Sequence, residues 1–393
     1  MSQKEVVICS AVRTPVGSFQ GALSSFSASD LGGVVVAEAV KRAGAKPEDV
    51  ERVILGNVLT AGIGQAPARQ AVIKAGLPVS VGAITINKVC GSGLQAVMFA
   101  RREILVGDAE TLVAGGMESM TNAPYLLPQA RGGYRMGNGQ IIDSMIHDGL
   151  WDPYDNLHMG HCGDAVAAKY KFTREDQDKF AADSYERAQA AQQEGRFKEE
   201  IIPVTVKTKK GDTLVDEDEE PKRVQLDKMA GLRPAFSKEG TVTAANASTL
   251  NDGAAALLVT SADHARAKGW TVLARIVADS TAAVEPKWFT IAPVHALAKL
   301  YDKTKSKPLD WDLYEINEAF SGVTMAAMKD HAIPHDRVNV HGGAVSIGHP
   351  IGCSGARILV TMLHALRQRG QKTGIATLCI GGGEAVALAV ELV

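Results

Sequence analysis

Over the first 120 residues, short apolar runs alternate with apolar residues at helical spacing. Val6 to Val12 reads as a strand, ended by Arg13-Thr14-Pro15. From Asp30 to Ala43 the positions Leu31, Val34, Val35, Val36, Ala39 and Val40 share one helical face, with Asp30 as the expected N-cap. Val53 to Asn57 then predicts a strand, Ala66 to Ala75 a helix, and Ala83 to Asn87 another strand. Leu94, Val97, Met98, Ile104 and Leu105 mark the buried face of the next helix. The strand Thr111 to Ala114 follows, closed by Gly115-Gly116-Met117-Glu118. Strands and helices alternating at these lengths predict α/β layers on a largely parallel sheet.

The pattern breaks between Thr121 and Ala245, where glycines, tyrosines, histidines and charges surround one long polar helix, about Arg174 to Glu194. The acidic run Asp216 to Glu220 reads as a solvated turn without function, followed by basic Lys222, Arg223, Lys228 and Arg233. The segment is expected to pack on the sheet rather than extend it. From Leu250 the α/β pattern resumes, with strands at Ala255 to Thr260 and Val272 to Ala278. Three stretches then echo the first half in the same order. Asp312 to Asn317 echoes Glu51 to Asn57, Gly352-Cys353-Ser354-Gly355 echoes Cys90-Gly91-Ser92-Gly93, and Thr377 to Glu384 echoes Leu112 to Glu118. Two diverged copies of one α/β unit account for this order. The expected division is residues 1–120 with 246–270 as one half, 121–245 as an inserted loop domain, and 271–393 as the other half.

A net charge of −2 over 393 residues, 46% hydrophobic and 22% charged, fits a soluble globular protein and disfavours nucleic acid or an anionic membrane as partner. Five cysteines with no C-x-x-C point to reduced thiols rather than a disulfide framework. Met1-Ser2-Gln3-Lys4-Glu5 shows no leader pattern, and no apolar run approaches the ~20 residues that span a bilayer. Glu391-Leu392-Val393 is not a peroxisomal signal. A cytoplasmic protein is expected.

Four polar residues stand on glycine-rich strand ends or turns: Cys90, Asn317, His349 and Cys379. Cys90 falls where a strand gives way to a helix, and the unpaired N–H groups and positive helix end there favour thiolate. Imidazole is the usual base for such a nucleophile, and a second thiol serves as a base if its pKa is lowered. The N–H groups of Cys90 and Gly381 could bind a developing oxyanion, and Asn317 a water. His158-Met159-Gly160-His161-Cys162 holds metal-ligand residue types but no partner pair, so no metal is expected. No G-x-G-x-x-G opens a helix after a strand and no P-loop is present, so no nucleotide cofactor is predicted.

Asn87-Lys88-Val89-Cys90-Gly91-Ser92-Gly93, Asn317-Glu318-Ala319-Phe320, Gly342-Gly343-Ala344 through Gly348-His349-Pro350, and Cys379-Ile380-Gly381-Gly382-Gly383 together resemble the four signature blocks of thiolases, over essentially the whole chain. The resemblance implies a five-layered αβαβα fold and acyl transfer between cysteine and coenzyme A. By that analogy Cys90 carries an acetyl group, His349 activates it, and Cys379 removes an α-proton from a second acetyl-CoA to give acetoacetyl-CoA. His349 and a water on Asn317 would stabilise the enolate, and the N–H groups of Cys90 and Gly381 the acyl oxygen. Coenzyme A contacts carried over are His158, Met159, Arg223, Phe236, Ala247, Ser248 and Phe320. Leu157-His158-Met159-Gly160 resembles the biosynthetic branch, and the family's paired loops imply a homotetramer. The chain departs from the family pattern at Trp288-Phe289, at Lys228 and at Pro221, and no potassium dependence is expected. A thiolase of broader chain length and a non-catalytic acyl-CoA or lipid carrier are the rival readings.

Overall fold

The computed structural model describes residues 4–209 and 211–393; Met1-Ser2-Gln3, part of the stretch read above for a leader pattern, lie outside the described residues, as does Lys210. Among the described residues the main sheet has ten strands, nine of them on its path: β1 (Val6–Arg13), β2 (Arg52–Gly56), β3 (Gly82–Ile86), β4 (Thr111–Ser119), β5 (Asn251–Ser261), β6 (Ala274–Ala283), β7 (Leu313–Ile316), β8 (Thr373–Ile380) and β9 (Glu384–Leu392). Their order is β7-β8-β9-β6-β1-β5-β4-β2-β3, with the two-residue strand Gly17–Ser18 beside β5. The halves meet between β1 and β6 over only two residue pairs, Val7 with Arg275 and Ile8 with Ala274.

Helices cover both halves and fill the space between them. α1 (Ala28–Arg42) and α2 (Pro67–Lys74) lie outside the first half; α3 (Ser92–Val106) and, later in the chain, α8 (Ile351–Gln368) lie between the halves. Within the middle segment run α4 (Gly160–Tyr170) and α5 (Arg174–Gln193). α6 (Ala292–Thr304) covers the second half, with α7 (Ser321–His331) beside it. Strand period sorts the side chains: Ile54 of β2 joins the core around α3 and α8, while its neighbours Val53 and Leu55 join the core under α1. The result is five layers, αβαβα.

The sheet is mixed rather than largely parallel. β2 runs parallel to β3 and β4, and β7 to β8, but the five contacts from β8 across to β4 are antiparallel. The cause is local: only Gly381-Gly382-Gly383 separates β8 from β9, too short a link for a parallel crossover. Among the described residues, no strand between Thr121 and Ala245 joins this sheet; they form two-stranded pieces of their own.

Three further expectations are corrected. Ser27, not Asp30, caps α1; its hydroxyl accepts from the Asp30 N–H while Asp30 reaches back to the Ser27 N–H, a reciprocal capping box. Gly115 and Gly116 do not end β4 but lie inside it, because the chain there is approached from both sides. A Cβ would stand 2.0 Å from the Ala255 carbonyl oxygen at Gly115, and 2.0 Å from that of Gly352 at Gly116. The acidic run is not uniformly solvated either. Asp218 is buried and grips the buried Arg13 guanidinium at 2.6 and 2.9 Å, and Glu200 holds its Nε at 2.6 Å. A buried cation needs such partners, which a charge run alone does not reveal.

The two echoed helix starts cross at the centre of the molecule. A Cβ on Gly93 would come within 2.7 Å of the Ala356 amide nitrogen, and one on Gly355 within 2.4 Å of that of Leu94. The repeated Ser-Gly therefore has a packing cause: only glycine lets α3 and α8 approach this closely.

Candidate active site

Cys90 stands just before α3 on a loop held in an unfavourable backbone conformation. Val89 has φ +45°, a rare state for a β-branched residue. The surroundings enforce it: Asn87 Oδ1 accepts from the Val89 N–H at 2.9 Å, and Ser92 Oγ accepts from Lys88 at 2.8 Å while donating to the Val89 carbonyl at 2.7 Å. Gly91 leaves room for Ile380, whose Cδ1 would lie 2.3 Å from a Cβ there. The reactive position is thus built from both halves.

His349 begins the turn into α8. Gly348 adopts φ +115° against the Asn251 amide, and Asn251 Oδ1 accepts the His349 N–H at 2.9 Å. The Asn251 amide nitrogen donates to the Gly17 carbonyl at 3.0 Å, fixing that acceptor. Ser354 Oγ donates to the Pro350 carbonyl at 2.8 Å and lies 2.6 Å from His349 Nδ1. With its one proton committed, the hydroxyl accepts from Nδ1–H, which assigns the free lone pair to Nε2.

Burial sets the charge state. The Cys90 thiol is pushed up to about 11 by desolvation, although the N–H groups of Gly381 and of Cys90 itself pull the other way. The His349 imidazole is pulled down to about 3 by desolvation, with the Arg357 charge adding to it. At neutral pH the resting pair is therefore thiol and neutral imidazole. The helix start does not deliver the thiolate expected from sequence, because the site is too dry. Cys379 is likewise raised rather than lowered, first by burial and then by the neighbouring Cys90.

A cavity of about 550 Å³ opens onto Cys90 and His349. All seven of the coenzyme A contacts named above, His158, Met159, Arg223, Phe236, Ala247, Ser248 and Phe320, line it, with Arg223 exposed. His158 stacks on Phe236 at 4.7 Å, and Gly160 permits it, since a Cβ there would meet the Phe236 ring at 2.3 Å. Of Trp288-Phe289 only Phe289 lines the cavity; Trp288 packs under Lys169, whose Nζ lies 4.2 Å from the ring centroid. Lys228 is exposed, and the Pro221 carbonyl accepts from Gln189 at 2.7 Å.

Neither Cys379 nor Asn317 is among the residues that line the cavity. Cys379 is fully buried in β8, packed with Met159, Phe289, Ala319 and Phe320. Asn317 follows β7, is 1% exposed, and neither its amide nitrogen nor its amide oxygen has a partner. Gly381 is half-buried, with Met159 Cε only 2.1 Å from where a Cβ would stand. Among the described residues no three His, Cys, Asp or Glu side chains converge as a metal site requires.

Sequence reasoning missed Asn251, Ser354 and Glu118. The Glu118 carboxylate accepts from the amides of Val58 at 3.0 Å, Leu59 at 3.1 Å and Gly352 at 2.9 Å, tying the start of α8 to the first half. A signal for Ser354 was present in its echo of Ser92, but nothing in the sequence joined it to His349.

Two family models match the chain: "Thiolase, N-terminal domain" over residues 6–263 and "Thiolase, C-terminal domain" over residues 270–392. The acetyl-CoA acetyltransferase of Cupriavidus necator is 54% identical over 389 residues, 98% of this chain and 99% of that protein. That of Chromobacterium violaceum is 52% identical with the same coverage. Among solved structures, the acetyl-CoA acetyltransferase of Bacillus anthracis superposes with a TM-score of 0.97 at 43% identity, covering 100% of this chain and 99% of its own. A thiolase from Ascaris suum in complex with coenzyme A gives 0.95, also at 43% identity, covering 99% and 100%.

Proposed function

The chain belongs to the thiolase family, and on that premise we propose that it is an acetyl-CoA acetyltransferase joining two acetyl-CoA into acetoacetyl-CoA and free coenzyme A, reversibly. The observation that carries the reading is that Cys90, at a strained helix start, and His349, its Nδ1 held by Ser354, line the same cavity of about 550 Å³.

In the first half-reaction, His349 Nε2 takes the Cys90 proton as sulfur attacks the acetyl carbonyl. The departing coenzyme A sulfur takes the proton of the Cys379 thiol, leaving acetyl on Cys90, a proton on His349 Nε2 and Cys379 as thiolate. The N–H groups of Gly381 and Cys90 are the donors for the carbonyl oxygen as charge develops on it. In the second, Cys379 as thiolate removes the α-proton of a new acetyl-CoA, and the carbanion attacks the acetyl group. Carbon–carbon bond formation releases the Cys90 sulfur as thiolate, the proton on His349 Nε2 returns to it, and Cys379 keeps the α-proton as its thiol. Both thiols and the neutral imidazole are thus restored at the end of the cycle. His349 and the unpaired Asn317 amide, through a water, are the donors to the enolate oxygen.

Arg223, exposed on the cavity lining, is assigned to the phosphate end of coenzyme A, and the His158–Phe236 stack to the arm of the ligand. No metal or prosthetic group enters these steps. The chain divides into residues 1–120 with 246–270, the loop domain 121–245, and 271–393; the absence of main-sheet strands among the described residues of the middle segment supports this division. A cytoplasmic homotetramer completes the reading, supported by Tyr125, Leu127, Tyr134, Met136 and Ile141, apolar side chains left exposed on one loop.

The test is turnover of 3-ketoacyl-CoA substrates of increasing length with free coenzyme A. Acetoacetyl-CoA should be cleaved fastest, with rates falling steeply beyond it as Phe289 closes the cavity. Equal rates on longer chains would favour the broader thiolase, and binding without cleavage the carrier.

A further inference from the structure

α8 carries a polar seam through the middle layer. Ser354, Arg357, Thr361, His364 and Gln368 fall at alternating three- and four-residue spacing, on one face of a helix otherwise packed in the core. Four of the five are hydrogen-bonded: Ser354 to His349, Thr361 to Glu200, His364 to the Ala11 carbonyl, and Gln368 to His341. Arg357 is the exception. It is 1% exposed, and Nε and both Nη atoms lack an acceptor. Its ion-pair partner is Glu315 of β7, at 3.7 Å from Nη1, and among the described residues the Glu315 carboxylate makes no hydrogen bond. A guanidinium without acceptors in a dry interior keeps its full field. One turn up the same face stands Ser354, and on Ser354 rests the catalytic imidazole.

We propose that Arg357, with Glu315 as its counter-charge, is a positioning residue of the acyl transfer, acting on His349 across the Ser354 face of α8. The inference rests on the reading of His349 as the base for Cys90. Arg357 opposes a proton on His349, so the imidazole stays neutral until the Cys90 proton is transferred to it. Glu315 modulates this. Burial raises its carboxyl to about 8 against the pull of Arg357. Below that value Arg357 is uncompensated; above it the carboxylate offsets the charge and His349 accepts a proton more readily. The other charges facing the pair are Glu318, Glu200 and Arg187, while Glu118 acts on Cys353 and Cys90 from the first half.

The experiment is the rate of Cys90 alkylation by iodoacetamide from about pH 6 to 10, followed by peptide mapping. His349→Ala is the control for the underlying reading: an unchanged rate there removes His349 as base and the proposal with it. Given a slowed control, Glu315→Gln should match the unsubstituted protein near pH 7 and fall about threefold behind it above pH 8, the effect of roughly half a pKa unit. Arg357→Met should react about threefold faster near pH 7, by the same conversion. Superimposable profiles, or changes of the same sign in both variants, would overturn the role of the pair alone. Should Arg357→Met not fold, the isosteric Glu315→Gln decides the matter.

Discussion

The same strand-end asparagine has opposite fates in the two halves. Asn57, after β2, is pinned: its amide donates to Glu118 at 2.6 Å. Asn317, its echo after β7, has no partner on either amide atom. The difference traces to the glycines that precede the echoed glutamates. Gly115 and Gly116 stay in β4, which carries Glu118 up beside Asn57. Gly382 and Gly383 take φ of +88° and +93° and turn the chain back, so Glu384 pairs instead with Lys88. One copy commits its carboxylate to structure; the other leaves an amide unpaired, in place for the role proposed above. The helix starts diverge in the same way. Ser92 holds the Lys88–Val89 backbone under Cys90, whereas Ser354 holds the ring of His349. In the proposed mechanism, one copy of the duplicated unit supplies the nucleophile and the other the base.

The contrast is broken most sharply at the asparagines. Asn317→Ala should lower kcat of the condensation by about 10²–10³-fold, the cost of losing one preorganised donor, with the melting temperature unchanged or raised because an unpaired buried amide is removed. Asn57→Ala should do the reverse, destabilising by about 1–3 kcal/mol through the lost hydrogen bond to the buried Glu118 carboxylate, with activity within a few-fold. Steady-state kinetics and thermal melts of the two variants decide it; loss of activity without loss of stability in Asn57→Ala would erase the distinction.

Much of this was legible beforehand. The apolar periodicities placed the elements within a few residues, and the echoes revealed the duplication, because strand and helix periods are written locally. Strand direction was not, since it depends on whether a glycine run bends or passes straight through, and Gly115 and Gly381 look alike in sequence. Cys90, His349, Cys379 and Asn317 stood out by their glycines. Their charge states did not, because burial is a property of the assembled layers: the Cys90 helix start pulls toward thiolate, and desolvation overrides it. Arg13 with Asp218, and Asn251 with His349, join residues more than 90 positions apart that no local pattern relates.

Smaller effects sharpen the comparison of helix starts. Ser354→Ala should slow acetylation of Cys90 about tenfold, within the range for residues that orient a catalytic histidine, without raising KM for acetyl-CoA. Stopped-flow acylation measures it, and a KM effect alone would contradict the assignment. Gly93→Ala and Gly355→Ala should each cost about 1–3 kcal/mol by overpacking the crossing, read from denaturant midpoints; equal midpoints would show that the helices can separate freely. The smallest expected effect is that of pH. The reactive form is thiol with neutral imidazole, and His349 is protonated only below about 3. Acetylation should therefore be flat between about pH 5 and 8, with no limb at the ordinary imidazole value near 6.5. A limb there would mean that the imidazole is wetter than its burial indicates.

The most direct test of the account is the intact mass of the protein after mixing with acetyl-CoA, followed by peptide mapping. One acetyl group on Cys90, removed by free coenzyme A and absent in Cys90→Ala, is the predicted result. A folded protein that takes up no acetyl group, or carries it on Cys379 instead, would contradict the account.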